Sequence, residues 1–273
     1  MQFQRLLVSC PDRPGIVAAV SGFLAEQGAN IVHADQHTTH SDRRFFLRVE
    51  FEGRLELAEG FEPIARAFLM DARFVDPSRG KRIAIFVSKE DHCLLELLLH
   101  QRAGDLEAEI ALVVGNHPDL GPVVEPYGVP FHHVPMHDKE EGERRQLELI
   151  EGLDLIVLAK YMQIVTPRLL EPWSGRIINI HHSFLPAFVG ARPYHQAHQR
   201  GVKLIGATAH YVTQELDAGP IIEQDVRRVD HRADPTELRR LGRQVERAVL
   251  ARAVEWHCED RVMVHDGRTV VFS

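Results

Sequence analysis

The chain has 273 residues, 44% hydrophobic and 26% charged, with a net charge of -7. That length allows two modest domains with sizeable cores, and an acidic balance without a basic block argues against nucleic-acid or anionic-membrane partners. Cys10, Cys93 and Cys258 are odd in number, widely spaced and lack a CxxC pair, so neither a disulfide framework nor a thiolate zinc site is expected, and a reducing cytoplasm fits.

Residues 3–10 read as a strand that begins almost at once, with no charged segment followed by a long apolar one. No apolar stretch approaches the roughly 20 residues of a membrane span. Pro11-Asp12-Arg13-Pro14-Gly15 supplies turn chemistry and a helix start. Ile16, Val17, Val20, Phe23 and Leu24 then recur at helical spacing, and Gly28 stands where a C-terminal cap belongs. Residues 31–38 suit a second strand. Phe45, Leu47, Val49 and Phe51 alternate with Arg44, Phe46, Arg48 and Glu50, the pattern of a half-buried antiparallel strand. A helix over 57–70 and a short strand at 73–75 complete a β-α-β-β-α-β, ferredoxin-like order.

The polar stretch Asp76-Pro77-Ser78-Arg79-Gly80-Lys81 reads as a linker between a domain over 1–78 and another over 82–273. Beyond it the rhythm changes. Continuous apolar runs at 83–87, 110–114 and 155–158 alternate with helical stretches around 92–102 and 139–152. Strands buried on both faces and separated by helices imply an open, mostly parallel α/β sheet. A long helix covers about 235–258, its Arg and Glu residues most simply a solvated face. Asp266-Gly267 between two β-prone runs reads as a terminal hairpin.

Candidate chemistry concentrates in Asn179-Ile180-His181-His182-Ser183-Phe184-Leu185-Pro186 and in Asp217 of Leu-Asp-Ala-Gly-Pro. An amide, an imidazole and a carboxylate can stabilise an oxyanion and activate water without a metal or a covalent nucleophile. Residues i and i+2 of a strand share a face, so Asn179 and His181 can point into one cleft. Asp217 could hold His181 as a cation or orient the attacking water; the second role is favoured, with His181 as oxyanion stabiliser and proton donor. Gly219-Pro220 is expected to fix a sharp loop bearing Asp217. His181, His195, His198 and His210 could supply nitrogen ligands, but no HExxH or cysteine partner accompanies them, and no metal is expected. The roles of His182, His195 and His198 stay open.

Three stretches carry a family resemblance: 157–164 (Val-Leu-Ala-Lys-Tyr-Met-Gln-Ile), 179–186, and 216–221 (Leu-Asp-Ala-Gly-Pro-Ile). With them, residues 82–273 resemble the catalytic domain of folate-dependent formyltransferases. Cys10–Gly15 and Gly28-Ala29-Asn30-Ile31 make residues 3–80 similar to an ACT domain. The combination, with the stretch 201–211, resembles the formyltetrahydrofolate deformylases over essentially the whole chain. The resemblance implies hydrolysis of 10-formyltetrahydrofolate to tetrahydrofolate and formate for purine synthesis, no cofactor, and a cytoplasmic homo-oligomer. It implies folate contacts at Tyr161, Met162, Gln163 and Ile164, chiefly through main chain, and at Leu185. An amino-acid effector is expected at the ACT domain, with Asp12, Gly15 and Asn30 as contacts.

Two departures from the sister transferases have content. Where those enzymes carry a glycine-rich, phosphate-cradling loop, this chain reads Ser88-Lys89-Glu90-Asp91-His92, a poor phosphate nest, so water is the expected acceptor. His182 stands where transferases usually have proline. The alternatives are formyl transfer to a small amine and a non-catalytic folate-binding, amino-acid-responsive regulator.

Overall fold

The computed structural model describes residues 2–53, 57–185 and 193–273. It forms two compact units. The first holds the residues up to Gly80 with Glu259–Met263 and Val270–Ser273; the second holds Lys81–Cys258 with Val264–Thr269.

In the first unit β1 (Gln2–Pro11), α1 (Ile16–Glu26), β2 (Asn30–Thr38), β3 (Arg44–Gly53), α2 (Ala58–Phe68) and β4 (Asp71–Val75) follow the expected order. The strands form an antiparallel sheet in the order β2-β3-β1-β4. Leu6 faces Val49, Val8 faces Leu47 and Cys10 faces Phe45, so one face of β1 and β3 is apolar over these pairs. It packs on Ile16, Val20, Phe23 and Leu24 of α1 and on Phe61 and Ala65 of α2.

The alternate residues of β1 and β3 include Arg5 and Arg48, which are buried. Arg48 Nε donates to the Asp260 carbonyl (3.1 Å), and Arg5 Nη1 lies 3.5 Å from the Asp260 carboxylate. The segments 259–263 and 270–273, expected with the C-terminal domain, thus pack within the N-terminal one. The buried arginines explain this, because a charge taken out of water needs a partner.

The second unit contains β5 (Lys81–Val87), α3 (His92–Ala103), β6 (Ala108–Gly115), α4 (Gly121–Val124), β7 (Phe131–His133), α5 (Lys139–Leu149), β8 (Leu155–Leu158), α6 (Pro167–Leu170), β9 (Ile177–His181), α7 (Pro193–Arg200), β10 (Leu204–Tyr211), β11 (Ile221–Arg228) and α8 (Pro235–Cys258). Its seven strands run in the order β11-β10-β9-β8-β5-β6-β7. β5 to β9 are parallel, whereas β10 and β11 extend the sheet antiparallel beyond β9.

Of the apolar runs read as doubly buried strands, 83–87 and 155–158 lie wholly in the core, and 110–114 does so apart from the partly buried Ala111. Ser88, Lys160 and His181 fall at the carboxyl ends of β5, β8 and β9, where open α/β sheets bind ligands. The terminal hairpin, β12 (Val262–His265) with β13 (Arg268–Val271), turns through Asp266 and Gly267, both with positive φ. No described helix is long and apolar enough to cross a membrane.

Candidate active site

β9 carries Asn179 and His181 on one face, and β10 lies beside it with His210 directly opposite Asn179 and Thr208 opposite His181. Asp217 comes from the connection between β10 and β11, in the left-handed region at φ 55. Gly219 allows that path. A Cβ at this position would run into the Tyr211 carbonyl, while the Tyr211 N–H donates to the Pro220 carbonyl at 2.9 Å. The Asp217 side chain is thereby delivered back to the strand ends.

Asp217 Oδ2 lies 3.3 Å from His181 Nδ1, and Oδ1 lies 3.7 Å from His210 Nε2. His181 and His210 are buried and Asp217 is 16% exposed. The hydrogen bond from His181, with His210 also beside it and against the opposing effect of burial, holds the Asp217 carboxyl well below the usual carboxylate range. It is an anion throughout the neutral range. Nδ1 of His181 faces that anion, while His181 Nε2 is buried and has no hydrogen-bond partner among the described residues. A buried, unspent ring nitrogen on a cavity wall is poised for a ligand.

Asn179 is held from the other side. Its Nδ2 lies 3.3 Å from His210 Nε2, and His210 Nδ1 lies 2.9 Å from the Tyr211 carbonyl. A carbonyl only accepts, so Nδ1 carries a proton. In the neutral ring Nε2 then accepts from the Asn179 amide. One amide hydrogen is used in orientation, and the other remains for substrate. His210 is the residue whose part the sequence did not disclose, having been considered there only as a metal ligand. Its signal is the strand register with Asn179, which a linear pattern does not show.

These residues line a cavity of about 870 Å³ with Tyr161, Met162, Gln163, Ile164 and Val165. Met162 and Ile164 are more than half exposed, giving the cavity an apolar wall. That wall is fixed from behind: the Tyr161 hydroxyl accepts from Gln146 Nε2 (2.7 Å), and the Met162 N–H donates to Ser88 Oγ (2.9 Å). Leu185 is placed differently. It is buried, its N–H donates to Thr208 Oγ1 at 3.1 Å and its carbonyl accepts from Gln224 Nε2 at 3.1 Å, and it is not among the described residues lining the cavity. Pro186, the last residue of the motif, lies outside the described residues.

His182 stacks on His181, with ring centroids 4.9 Å apart and an interplanar angle of 19°. Burial, with help from the nearby Lys160 charge, pushes its pKa down to about 4, so it is a neutral plate behind His181. His195 lines the cavity, whereas His198 contacts the Ala233 carbonyl through Nδ1 at 3.2 Å. The described residues whose ligand atoms come within reach of one metal ion are His92, Cys93 and Glu246. Glu246 there already accepts from His92 and Tyr194 and faces the Lys160 ammonium.

In the first unit Asp12 accepts from Arg43 at 2.8 Å. Gly15 caps α1 at φ 95, and Asn30 is exposed at the start of β2. The Arg13 guanidinium lies over the Phe68 ring at 4.3 Å.

Comparison with known proteins places both units. Residues 81–254 match the formyl transferase family and residues 4–60 the ACT domain. A formyltetrahydrofolate deformylase of Bacillus subtilis is 54% identical over 98% of this chain and 93% of its own length. The crystal structure of a formyltetrahydrofolate deformylase from Pseudomonas syringae superposes with a TM-score of 0.96 at 49% identity, covering 100% of this chain and 95% of that one. That of the Burkholderia mallei enzyme gives 0.95 at 44%, covering 100% of both chains. With its ACT domain, its formyl transferase domain and relatives that match from end to end, the chain belongs to the formyltetrahydrofolate deformylase family.

Proposed function

We propose that this protein hydrolyses 10-formyltetrahydrofolate to tetrahydrofolate and formate, using Asn179, His181 and Asp217 on water and no cofactor. The observation that carries the reading is the division of labour on His181. Nδ1 is occupied by the Asp217 anion, while Nε2 is buried, unpaired and on the wall of a cavity large enough for a heterocycle. The formyl group is an amide on an aniline-like nitrogen, so the barrier lies in oxyanion formation and in departure of that nitrogen.

Asn179 Nδ2, with its other hydrogen spent on His210, donates to the developing oxyanion; such a donor is worth about 3–4 kcal/mol. His181 Nε2 donates beside it when the ring is an imidazolium whose charge Asp217 balances. Water is oriented by Asp217 and attacks the formyl carbon. The proton it gives up passes through the Asp217–His181 pair to the nitrogen as the C–N bond breaks, leaving formate. A carboxylate as acidic as Asp217 is a weak base in isolation, which favours relay and orientation over lasting protonation. His182 supports this by backing the His181 ring without adding a charge of its own.

The apolar wall 161–165 receives the pterin ring through the main chain. Leu185 supports the site from behind through Thr208. The released formate suits a role in supplying purine synthesis. In the ACT unit the segment from Asp12 to Gly15, with Asn30, would take an amino-acid effector, in a homo-oligomer.

The test is incubation with 10-formyltetrahydrofolate without any amine, following formate and tetrahydrofolate together. Equimolar release that Asp217→Asn abolishes, with folate binding kept, is the expected result. Formyl transfer that needs an added amine, or near-normal turnover by Asp217→Asn, would overturn it.

A further inference from the structure

The cavity does not end at Asp217. Beyond His181 and His182 it continues along Glu90, Lys160, Tyr194, Thr236 and Arg239. This bay is rich in cations. Lys160 is buried, held at φ 61 just past β8, and Arg239 and Arg243 project from the first turns of α8. The amino end of that 24-residue helix adds positive potential of its own. Such an arrangement would ordinarily hold an anion.

Here it holds the chain's own carboxylates. Arg239 Nη2 donates to Glu90 Oε1 at 2.7 Å, and Arg243 Nε lies 3.4 Å from Glu90 Oε2. Lys160 Nζ lies 3.4 Å from Glu246, which also accepts from Tyr194 at 2.8 Å and contacts His92 Nε2 at 2.7 Å. His92 Nδ1 approaches Glu90 to 3.5 Å without a hydrogen bond. Burial opposes ionisation of Glu90, but the Arg239 hydrogen bond and the Lys160, Arg239 and Arg243 charges outweigh it and lower its pKa. The acid is an anion at neutral pH. Of the two, Glu246 is enclosed and Glu90 stands on the cavity wall.

We infer that Glu90 is a specificity-determining residue: on the wall of the cavity that also holds the reacting groups, its carboxylate occupies the anion site of Arg239, with Arg243 at its second oxygen, so that a phosphorylated amine finds no cation to hold it and water remains the acceptor. The inference rests on the proposed hydrolysis. It adds a reason, in named side chains, why the same oxyanion-stabilising set does not pass the formyl group to an amine bearing an anionic tail. An amine held in the bay would displace water at the formyl carbon, and effective concentration alone would favour it.

The experiment compares wild type with Glu90→Gln, which keeps size and removes charge. Hydrolysis is followed with inorganic phosphate, then 2-aminoethyl phosphate, as added ligands. Glu90→Gln should be inhibited by phosphate at about tenfold lower concentration than wild type, the scale of one new charge-assisted contact. Some formyl label should also appear on the amine. Adding Arg239→Ala to Glu90→Gln should return the phosphate sensitivity to the wild-type level, a reversal that general damage to the fold would not produce. Equal phosphate sensitivity in wild type and Glu90→Gln overturns the inference, as does sensitivity that persists without Arg239. If Glu90→Gln is poorly folded by thermal melting, Glu90→Ser serves in the same assay. Formate release in the absence of phosphate reports separately on the hydrolytic reading, so each can fail alone.

Discussion

Both units bury charge, but they spend it differently. In the N-terminal unit Arg5 and Arg48 meet Glu50 at 3.3 and 2.6 Å, and Asp260 receives Arg5 and Arg73 on its carboxylate and Arg48 on its carbonyl. These groups fasten a terminal segment to a sheet. In the second unit Asp217 is firmly ionised, yet the imidazole it holds keeps a buried nitrogen unused. A closed network contributes to stability and specificity of packing, whereas a network with one vacant position inside a cavity is arranged for chemistry.

Substitutions that exchange these properties should break the comparison, and the largest effect is expected at Asp217. Asp217→Asn keeps shape but removes the charge opposite His181 Nδ1. It should lower kcat by on the order of a thousandfold or more, as loss of a histidine-orienting carboxylate does elsewhere, with the melting temperature little changed. Steady-state kinetics and thermal melting on the same sample check both halves.

Asp260→Ala should do the reverse. It removes one of the two carboxylates that meet Arg5, whose side chain is 5% exposed, and breaking a buried pair costs up to about 3–5 kcal/mol. The loss should appear in denaturant unfolding of the N-terminal unit, with kcat far less affected than in Asp217→Asn. Comparable losses of kcat in the two variants would erase the distinction drawn here.

Gly242→Ala is a smaller perturbation within the catalytic unit. A Cβ there collides with the Tyr194 hydroxyl, which donates to Glu246. Overpacking of this sort costs about 1–3 kcal/mol. Tyr194→Phe in the same chain removes the nearest colliding atom but keeps the ring carbons at 2.5 and 2.7 Å, so it should recover only part of that loss, and urea unfolding of the single and double variants measures it.

What could be read in advance follows from the range of the forces involved. The N-terminal plait was legible because Phe45, Leu47, Val49 and Phe51 alternate along one strand, and Gly28 marks the end of α1 in the same local code. The parallel strands announced themselves as unbroken apolar runs. β9 and β10 did not. β9 is five residues long, and β10 carries Gly206, Ala207, Thr208 and Ala209, small residues chosen by close approach. A Cβ on Gly206 would meet the Asp225 carbonyl at 2.6 Å.

Asn179 and His181 were readable as a same-face pair, and Gly219-Pro220 as a sharp turn. That His210 orients Asn179 depends on antiparallel register across 31 residues, and the Glu90–Arg239 contact spans 149. Neither separation leaves a periodic trace. The docking of 259–263 on the first unit was hidden for the same reason. Arg48 looked like the polar half of an alternating strand and Arg5 part of a plain strand-like run, and both are buried where the returning segment meets them.

pH separates the two kinds of buried charge further. His182 is held at a pKa of about 4 by burial and the Lys160 charge, whereas an unfolded histidine titrates near 6.5. Between those values the unfolded chain binds more protons than the folded one. Stability from a neutral His182 is therefore complete above about pH 6.5 and is lost as the pH falls towards 4. Glu246, lowered to about 2 by its hydrogen bond from His92 and the Lys160 charge in spite of burial, acts in a separate window. Its contribution is complete above the unfolded glutamate value of about 4.3 and is lost only as the pH falls below it. His182→Phe keeps the stacked plate and removes the titration. Melting temperatures of wild type and His182→Phe should diverge between about pH 6.5 and 4, with the variant falling less, and run parallel above that range. A wild-type curve as flat as the variant's across this window would show that His182 titrates freely, and the neutral support assigned to it behind His181 would have to be abandoned.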